Sequence, residues 1–339
     1  MTPFDKPDSA PRAAGSRRRW LLAAAAGCAT ALAGVPSLAD SGYPNKPITI
    51  IVPFPPSGGA DIDVRLLAPE LSRILGQPVV IENVSGGGGT IGIQKGLRAA
   101  PDGYTLFYGS PSEPVLMAMI NPAVTYKTED MVAVALSGKT PLAFFTRADH
   151  PDGDFPQMIA DARKHPGKVS FGTSGIGSFQ HLATEVVKER TGAHMLHIPY
   201  RGGAGVLTDV VGGQVDFGVV VVPVIAGFAK QGRVKVLAVS SPERSPVLPE
   251  VPAFGEVTAL KGLDLQTWGM FFVPKGVPDA IVARLNAALI EAAKSPQVVE
   301  QRKRTGTLAA APMNAAQTQA FLLAQRDLYK PVVGRIKFE

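Results

Sequence analysis

Cysteine is nearly absent from this chain of 339 residues, which has only Cys28. A lone thiol closes no internal disulfide and builds no thiolate metal cluster. Charge is sparse too, at 18% of residues with a net +6, half of it within residues 1–39, and the rest of the chain has only a mild basic balance. That leaves no footprint for nucleic acid. No period of 20 to 50 residues repeats, which excludes solenoids and arrays.

Signatures of catalysis and nucleotide binding are also missing. A dinucleotide turn needs G-x-G-x-x-G, but Gly175-Ile176-Gly177-Ser178-Phe179-Gln180 lacks the third glycine, and Gly86 to Gly89 runs on into Thr90-Ile91. No G-x-x-x-x-G-K-[ST] loop occurs. A nucleophile elbow reads G-x-S-x-G, whereas Gly172-Thr173-Ser174-Gly175-Ile176 brings its second glycine one place early. Ser174 stays on the page as the one nucleophile of an alternative hydrolase reading. Histidines 150, 165, 181, 194 and 197 form no H-E-x-x-H. His181 and Glu185 are one helical turn apart, a spacing more typical of a surface contact than of a metal site. His194 and His197, if both lie on one strand, would face opposite sides. Neither metal nor cofactor is implied.

What is present begins with an export signal over residues 1–39. Arg17-Arg18-Arg19 precedes an Ala-rich apolar run from Trp20 to Leu38, and Ser37-Leu38-Ala39 supplies the small residues of a cleavage site. The arginines resemble a twin-arginine signal, and general secretion accommodates them equally. Ala25-Ala26-Gly27-Cys28 loosely resembles a lipidation site, and a retained anchor is the remaining alternative; Gly27, Gly34 and Pro36 interrupt such a span. Cleavage after Ala39 would place a cysteine-free chain in the periplasm and remove half of the net positive charge.

Beyond the signal, strand and helix alternate. Ile48 to Val52 reads as a strand buried on both faces. Ile62, Leu66, Leu67, Leu71, Ile74 and Leu75 then fall at helical spacing up to Gly76, with Pro69 expected to bend the helix. Val79 to Ile81, a helix from Thr90, and Tyr104 to Tyr108 complete a βαβαβ unit, which implies parallel pairing. The pattern resumes after Leu142–Phe145: strands at 169–171, 196–198, 215–222 and 234–239, with helices after Ser178 and after Gly202. A last block holds a strand over 267–273 and helices over 278–293 and 314–329. The expected fold is α/β with two lobes, each a mostly parallel sheet flanked by helices. Lobe 1 would take 40–141 and 265–339, lobe 2 would take 142–264, and hinges would lie near Pro141 and Leu265.

Four loops start helices: Ser57-Gly58-Gly59, Gly86 to Gly89 (with Gly88 inside), Thr173 to Ser178, and Arg201-Gly202-Gly203. A helix start presents unpaired N–H groups and a partial positive charge, which suits an anion. The hydroxyls of Ser57, Ser110, Ser112, Thr173, Ser174 and Ser178 would add donors, and Gly175 would let backbone approach. Together, across two lobes, they suit a ligand with carboxylates at both ends, a di- or tricarboxylate, with an aromatic or amino-acid carboxylate as the other choice. Asp61 and Asp63 oppose an anion; both fit a first helical turn, where Asp61 is also expected to help order the turn. Phe54 follows a proline in the first loop and is a candidate contact, whereas Tyr200 and Trp268 read more readily as core.

Tyr43-Pro44-Asn45-Lys46-Pro47-Ile48 with Val52-Pro53-Phe54-Pro55-Pro56-Ser57-Gly58-Gly59-Ala60-Asp61 resembles the opening of the tripartite tricarboxylate transporter receptors, the Bug family. Glu82-Asn83, Pro101-Asp102-Gly103-Tyr104, Phe171 to Ser178 and Ile198-Pro199-Tyr200-Arg201-Gly202-Gly203 fit in order, as do Gly212-Gly213-Gln214-Val215-Asp216 and Arg244 to Pro252. The resemblance implies a Venus-flytrap receptor without enzymatic activity, a monomer that holds a small carboxylate and delivers it to a membrane permease. It also brings Tyr200 and Asp216 into the candidate site. Ser57 stands where the family usually has Gly, and Ala60 where Thr or Ser is common. An orphan receptor that signals to a sensor partner is the alternative.

Overall fold

The computed structural model describes residues 42–334. The export signal, Cys28 and the Ala39 cleavage site lie outside the described residues. Pro44 onward forms one compact unit.

Its strands are β1 (Ile48–Val52), β2 (Val79–Asn83), β3 (Thr105–Gly109), β4 (Met131–Thr140), β5 (Leu142–Arg147), β6 (Ser170–Thr173), β7 (Leu196–Pro199), β8 (Phe217–Val221), β9 (Val234–Val239), β10 (Thr267–Pro274) and β11 (Leu308–Ala309). The longer helices are α1 (Gly59–Leu75), α2 (Thr90–Leu97), α3 (Phe155–Lys164), α4 (Phe179–Thr191), α5 (Gly203–Val211), α6 (Val222–Lys230), α7 (Asp279–Lys294), α8 (Pro296–Thr305) and α9 (Ala315–Val333).

Two sheets result, in the orders β11-β4-β10-β3-β1-β2 and β7-β6-β8-β5-β9. The expected parallel pairing holds for β2-β1-β3 and for β7-β6-β8. The rest of each sheet departs from it: β10 runs antiparallel to β3 and β4, and β5 antiparallel to β8 and β9. The cause is the connection. β4 passes through Pro141 straight into β5 in the other sheet, and β10 returns to the first sheet between β3 and β4. Each passage crosses from one sheet to the other and so is not the crossover within one sheet that joins parallel neighbours.

The apolar run of β1 is buried, as read. Helix α1 continues through Pro69, which is exposed, and stops where Gly76 takes φ 67°. Left-handed glycine at that position is the usual helix stop. A hydrophobic cluster is continuous across both sheets and their helices, with Phe179 of α4 packed 5.8 Å from Tyr329 of α9 between ring centres.

Candidate functional site

The β1–α1 turn is built around Asp61. This carboxylate is 2% exposed and accepts from Ser57 N–H (2.9 Å), Arg65 Nε (2.8 Å) and Asn83 Nδ2 (2.9 Å). Burial opposes its charge, but the hydrogen bonds from Arg65, Ser57 and Asn83 together hold its carboxyl below the usual range. Asp61 therefore orders the turn and does not face a ligand. Among the described residues Ser57 is the non-glycine residue with positive φ, 67°. That conformation explains why glycine would suit the position. Its side chain is exposed and lines no cavity.

Between the two sheets lies a cavity of about 500 Å³. The first turn of α1 (Gly58, Gly59, Ala60) and the first turn of α5 (Gly202, Gly203, Ala204) both line it, with Phe54, Ser110, Ser174, Arg201 and Trp268. The turns are close: a Cβ on Gly202 would stand 3.5 Å from Pro55, and one on Gly59 would stand 2.5 Å from Val221 Cγ2. Two helix starts thus offer N–H groups to one space. A second cavity, about 560 Å³, shares Phe54, Ser174 and Arg201 and adds Gly88, Gly175 and Tyr200.

The other predicted site residues work elsewhere. Thr173 is fully buried; its Oγ1 accepts from Gly175 N–H (3.2 Å) and lies 2.7 Å from His197 Nε2. Ser178 caps α4 by accepting from His181 N–H. Ser112 Oγ accepts Phe179 N–H at 2.9 Å, a bond between the elements of the two sheets. Asp216 accepts from Ser170 N–H (2.8 Å) and Oγ–H (2.6 Å) and fastens β6 to the start of β8. Tyr200 donates its hydroxyl to Asp209 at 2.7 Å; burial and then that bond push its phenol up to about 12. None of Ser57, Asp61, Ser112, Thr173, Ser178 and Asp216 lines either cavity: the Ser57 hydroxyl is exposed, and the other five side chains are engaged within the fold.

The histidines differ from the sequence reading. His181 is 1% exposed and not on the surface, stacked 3.8 Å from the His197 ring. Gly177 N–H donates to its Nδ1, which leaves Nε2–H to face Glu185 at 3.6 Å. Burial first, and then the adjacent His181 ring, push His197 down to about 3, so the His197 ring stays neutral. His194 lies before β7 and shares no strand with His197. His197 Nε2 serves Thr173, not Ser174.

Sequence reasoning missed one cluster behind the cavity wall. Asp63 accepts from Tyr108 OH (2.8 Å) and from Arg302 Nη2 (3.2 Å), and Arg302 also donates to Ser137 Oγ (2.8 Å). Burial, then the Asp63 charge, push the Tyr108 phenol well above its usual range, so it remains a donor. Gly269 leaves the room this pair needs, since a Cβ there would collide with the Tyr108 hydroxyl. Helix α8, which carries Arg302, was not read from the sequence because it buries only Val298 and Arg302.

Comparison with known proteins agrees with this architecture. The profile of the tripartite tricarboxylate transporter family receptor, TctC, matches residues 64–337. The chain is 36% identical over 309 residues to BugT of Bordetella pertussis, spanning 90% of this chain and 93% of that one. MatC from Rhodopseudomonas palustris with bound malate superposes with a TM-score of 0.81 at 28% identity, over 86% of this chain and 100% of that one. Rpa4515 of R. palustris with adipate gives a TM-score of 0.82 at 27% identity, over 86% and 97%. With two mixed sheets around a cleft, a profile match over most of its length and relatives covered nearly end to end, the chain belongs to the tripartite tricarboxylate transporter receptor family of periplasmic solute-binding proteins.

Proposed function

We propose that this chain is exported by the signal in residues 1–39 and, in the periplasm, captures a small carboxylate for delivery to a membrane permease. The observation that carries this reading is the pair of helix starts, α1 and α5, that line one cavity together with Arg201. Unpaired N–H groups and aligned peptide dipoles favour an anion there. Residues 40–141 with 265–339, and residues 142–264, act as the two jaws, and the chain works as a monomer. Phe54, Gly58, Gly59, Ser110, Ser174 and Gly202 form the capture surface, with Gly88, Gly175 and Tyr200 on the adjoining cavity. Two related structures, one with malate and one with adipate, support a carboxylate as the ligand class.

A thermal-shift screen of mono-, di- and tricarboxylates tests this. A ligand at about 100 times its dissociation constant stabilises by roughly 2.7 kcal/mol, a shift of several degrees. A shift with neutral or cationic solutes and none with any carboxylate would refute the reading.

A further inference from the structure

The cavity wall carries three charged side chains, Asp63, Arg65 and Arg201. Two of them are already matched inside the protein. Asp63 faces Arg302 and Tyr108, while Arg65 gives Nε to Asp61 and Nη2 to Asn83. Arg201 alone makes no hydrogen bond or ion pair among the described residues. It is exposed, precedes α5, and stands beside Gly202, which abuts Pro55 of the turn that opens α1. The free cation and the two helix starts therefore share one end of the cavity.

From that end the cavity follows α1 from Gly59 to Leu66, about 10 Å at 1.5 Å per residue. Ile62 and Leu66 line one side of this length, and Val220, Val221 and Val224 line the other. Two charges are met along the way: the Asp63 anion, and Arg65, whose guanidinium is matched by Asp61 and Asn83. A second carboxylate placed between Leu66 and the valines would lose water against hydrocarbon and meet the Asp63 anion, with Arg65 already committed to Asp61 and Asn83. Arg302 lies behind Asp63, off the wall, with its charge matched by that residue.

We propose that the cavity selects a monocarboxylate with an extended apolar body, its carboxylate held by Arg201 and the α1 and α5 turns and its body laid along Ile62, Leu66, Val220 and Val224. The assignment rests on the receptor reading above and narrows its ligand class.

Isothermal titration of the intact mature protein with butanoate, hexanoate and octanoate, with octanedioate and with octanamide tests it. Each added methylene in the monocarboxylate series is expected to raise affinity about two- to fourfold. Octanoate should bind at least about tenfold more tightly than octanedioate, which differs by the second carboxylate, and than octanamide, which lacks charge. Arg201→Gln should weaken octanoate about tenfold or more with the ligand-free melting temperature unchanged, and Leu66→Asn should flatten the methylene series. Octanedioate binding as tightly as octanoate, or a flat series, overturns the apolar-body assignment and leaves the receptor reading standing. Octanamide binding as tightly as octanoate overturns both, and no binding by any of the four carboxylate probes overturns this assignment and leaves the receptor reading standing.

Discussion

Ser110 shows how a residue of the right type can face the cavity and still not be a donor. Its N–H (2.7 Å) and its hydroxyl (3.1 Å) both approach Glu113 Oε2, and Ser112 N–H donates to Ser110 Oγ at 3.3 Å. With Glu113 ionised, the Ser110 hydrogen is spent inward and a lone pair is left for the cavity. Burial pushes Glu113 up to about 7 against the opposing bonds from Ser110. Near neutrality the carboxyl is thus half protonated, and in that form it can donate to Ser110 Oγ and release the hydroxyl hydrogen toward a ligand. A bound carboxylate favours that state, so binding should take up a proton. Affinity is expected to fall as pH rises from about 6 to 8, by at most about tenfold per unit. In Glu113→Gln the side-chain amide donates at every pH, so titration calorimetry should give a flat profile. Equal slopes in parent and variant would disprove the coupling. The same group affects the fold. Its folded pKa lies above the unfolded value of about 4.3, so the folded chain holds more protons between them, and its contribution to stability is lost as pH rises through that window. None of this was legible in the sequence, because Glu113 sits in a wide turn closed by Leu116 N–H to Pro111 C=O that no local pattern announces. By contrast, Gly58, Gly59 and Gly202 were legible because a glycine at a helix start has a local meaning.

At the scale of elements, the strands buried on both faces and the helices with one apolar face were readable, and those that depend on distant partners were not. Strand β4 was missed although it is ten residues long. Its sequence ends in Ser137-Gly138-Lys139-Thr140, and Gly138 is there because a Cβ would come 2.7 Å from Leu308 C=O of β11, a residue 170 positions away. The hinge positions near Pro141 and Leu265 came from counting units, but what joins them came only from the structure. Ser240 is fully buried and binds both crossings. Its Oγ accepts Leu142 N–H (2.9 Å) and donates to Leu265 C=O (2.7 Å), while its backbone N–H donates to Leu142 C=O and its carbonyl accepts Leu265 N–H. Ser240→Ala leaves a buried donor and a buried acceptor unmatched and is expected to cost about 1–3 kcal/mol in urea unfolding. Hydrogen exchange at the Leu142 amide should accelerate with it. Stability within about 0.5 kcal/mol of the parent, with the Leu142 amide equally protected, would show that the two crossings do not depend on this clasp.

Across the whole molecule, the two sheets with their helices meet at points where a side chain is left out. Gly59 meets Val221, Gly202 meets Pro55, and a Cβ at Gly177 would lie 2.5 Å from Met117 Sδ and from Ile120 Cδ1. The bond from Phe179 N–H to Ser112 Oγ spans the same divide. Shape therefore sets how far the jaws approach, and approach sets how completely a ligand loses its water. Gly59 is the sharper test, because a Cβ at Gly58 would meet nothing nearer than Pro55 C=O at 3.4 Å. Gly59→Ala puts a methyl 2.5 Å from Val221 Cγ2, a contact that real Cβ atoms essentially never make. The jaws must part or Val221 must yield. Gly59 opens a helix whose buried face lies further along, at Val64, Leu67 and Leu71, so the fold should lose little. Affinity for whichever carboxylate gives the largest thermal shift should drop by about tenfold or more, the loss of one well-made contact region. Val221→Ala removes the opposing methyl, so the double variant should recover most of the lost affinity, a coupling of about 1 kcal/mol or more in a double-mutant cycle. Additive losses in that cycle would mean that closure is not limited by this contact, and unchanged affinity in Gly59→Ala alone would mean that the ligand is held without the jaws meeting here.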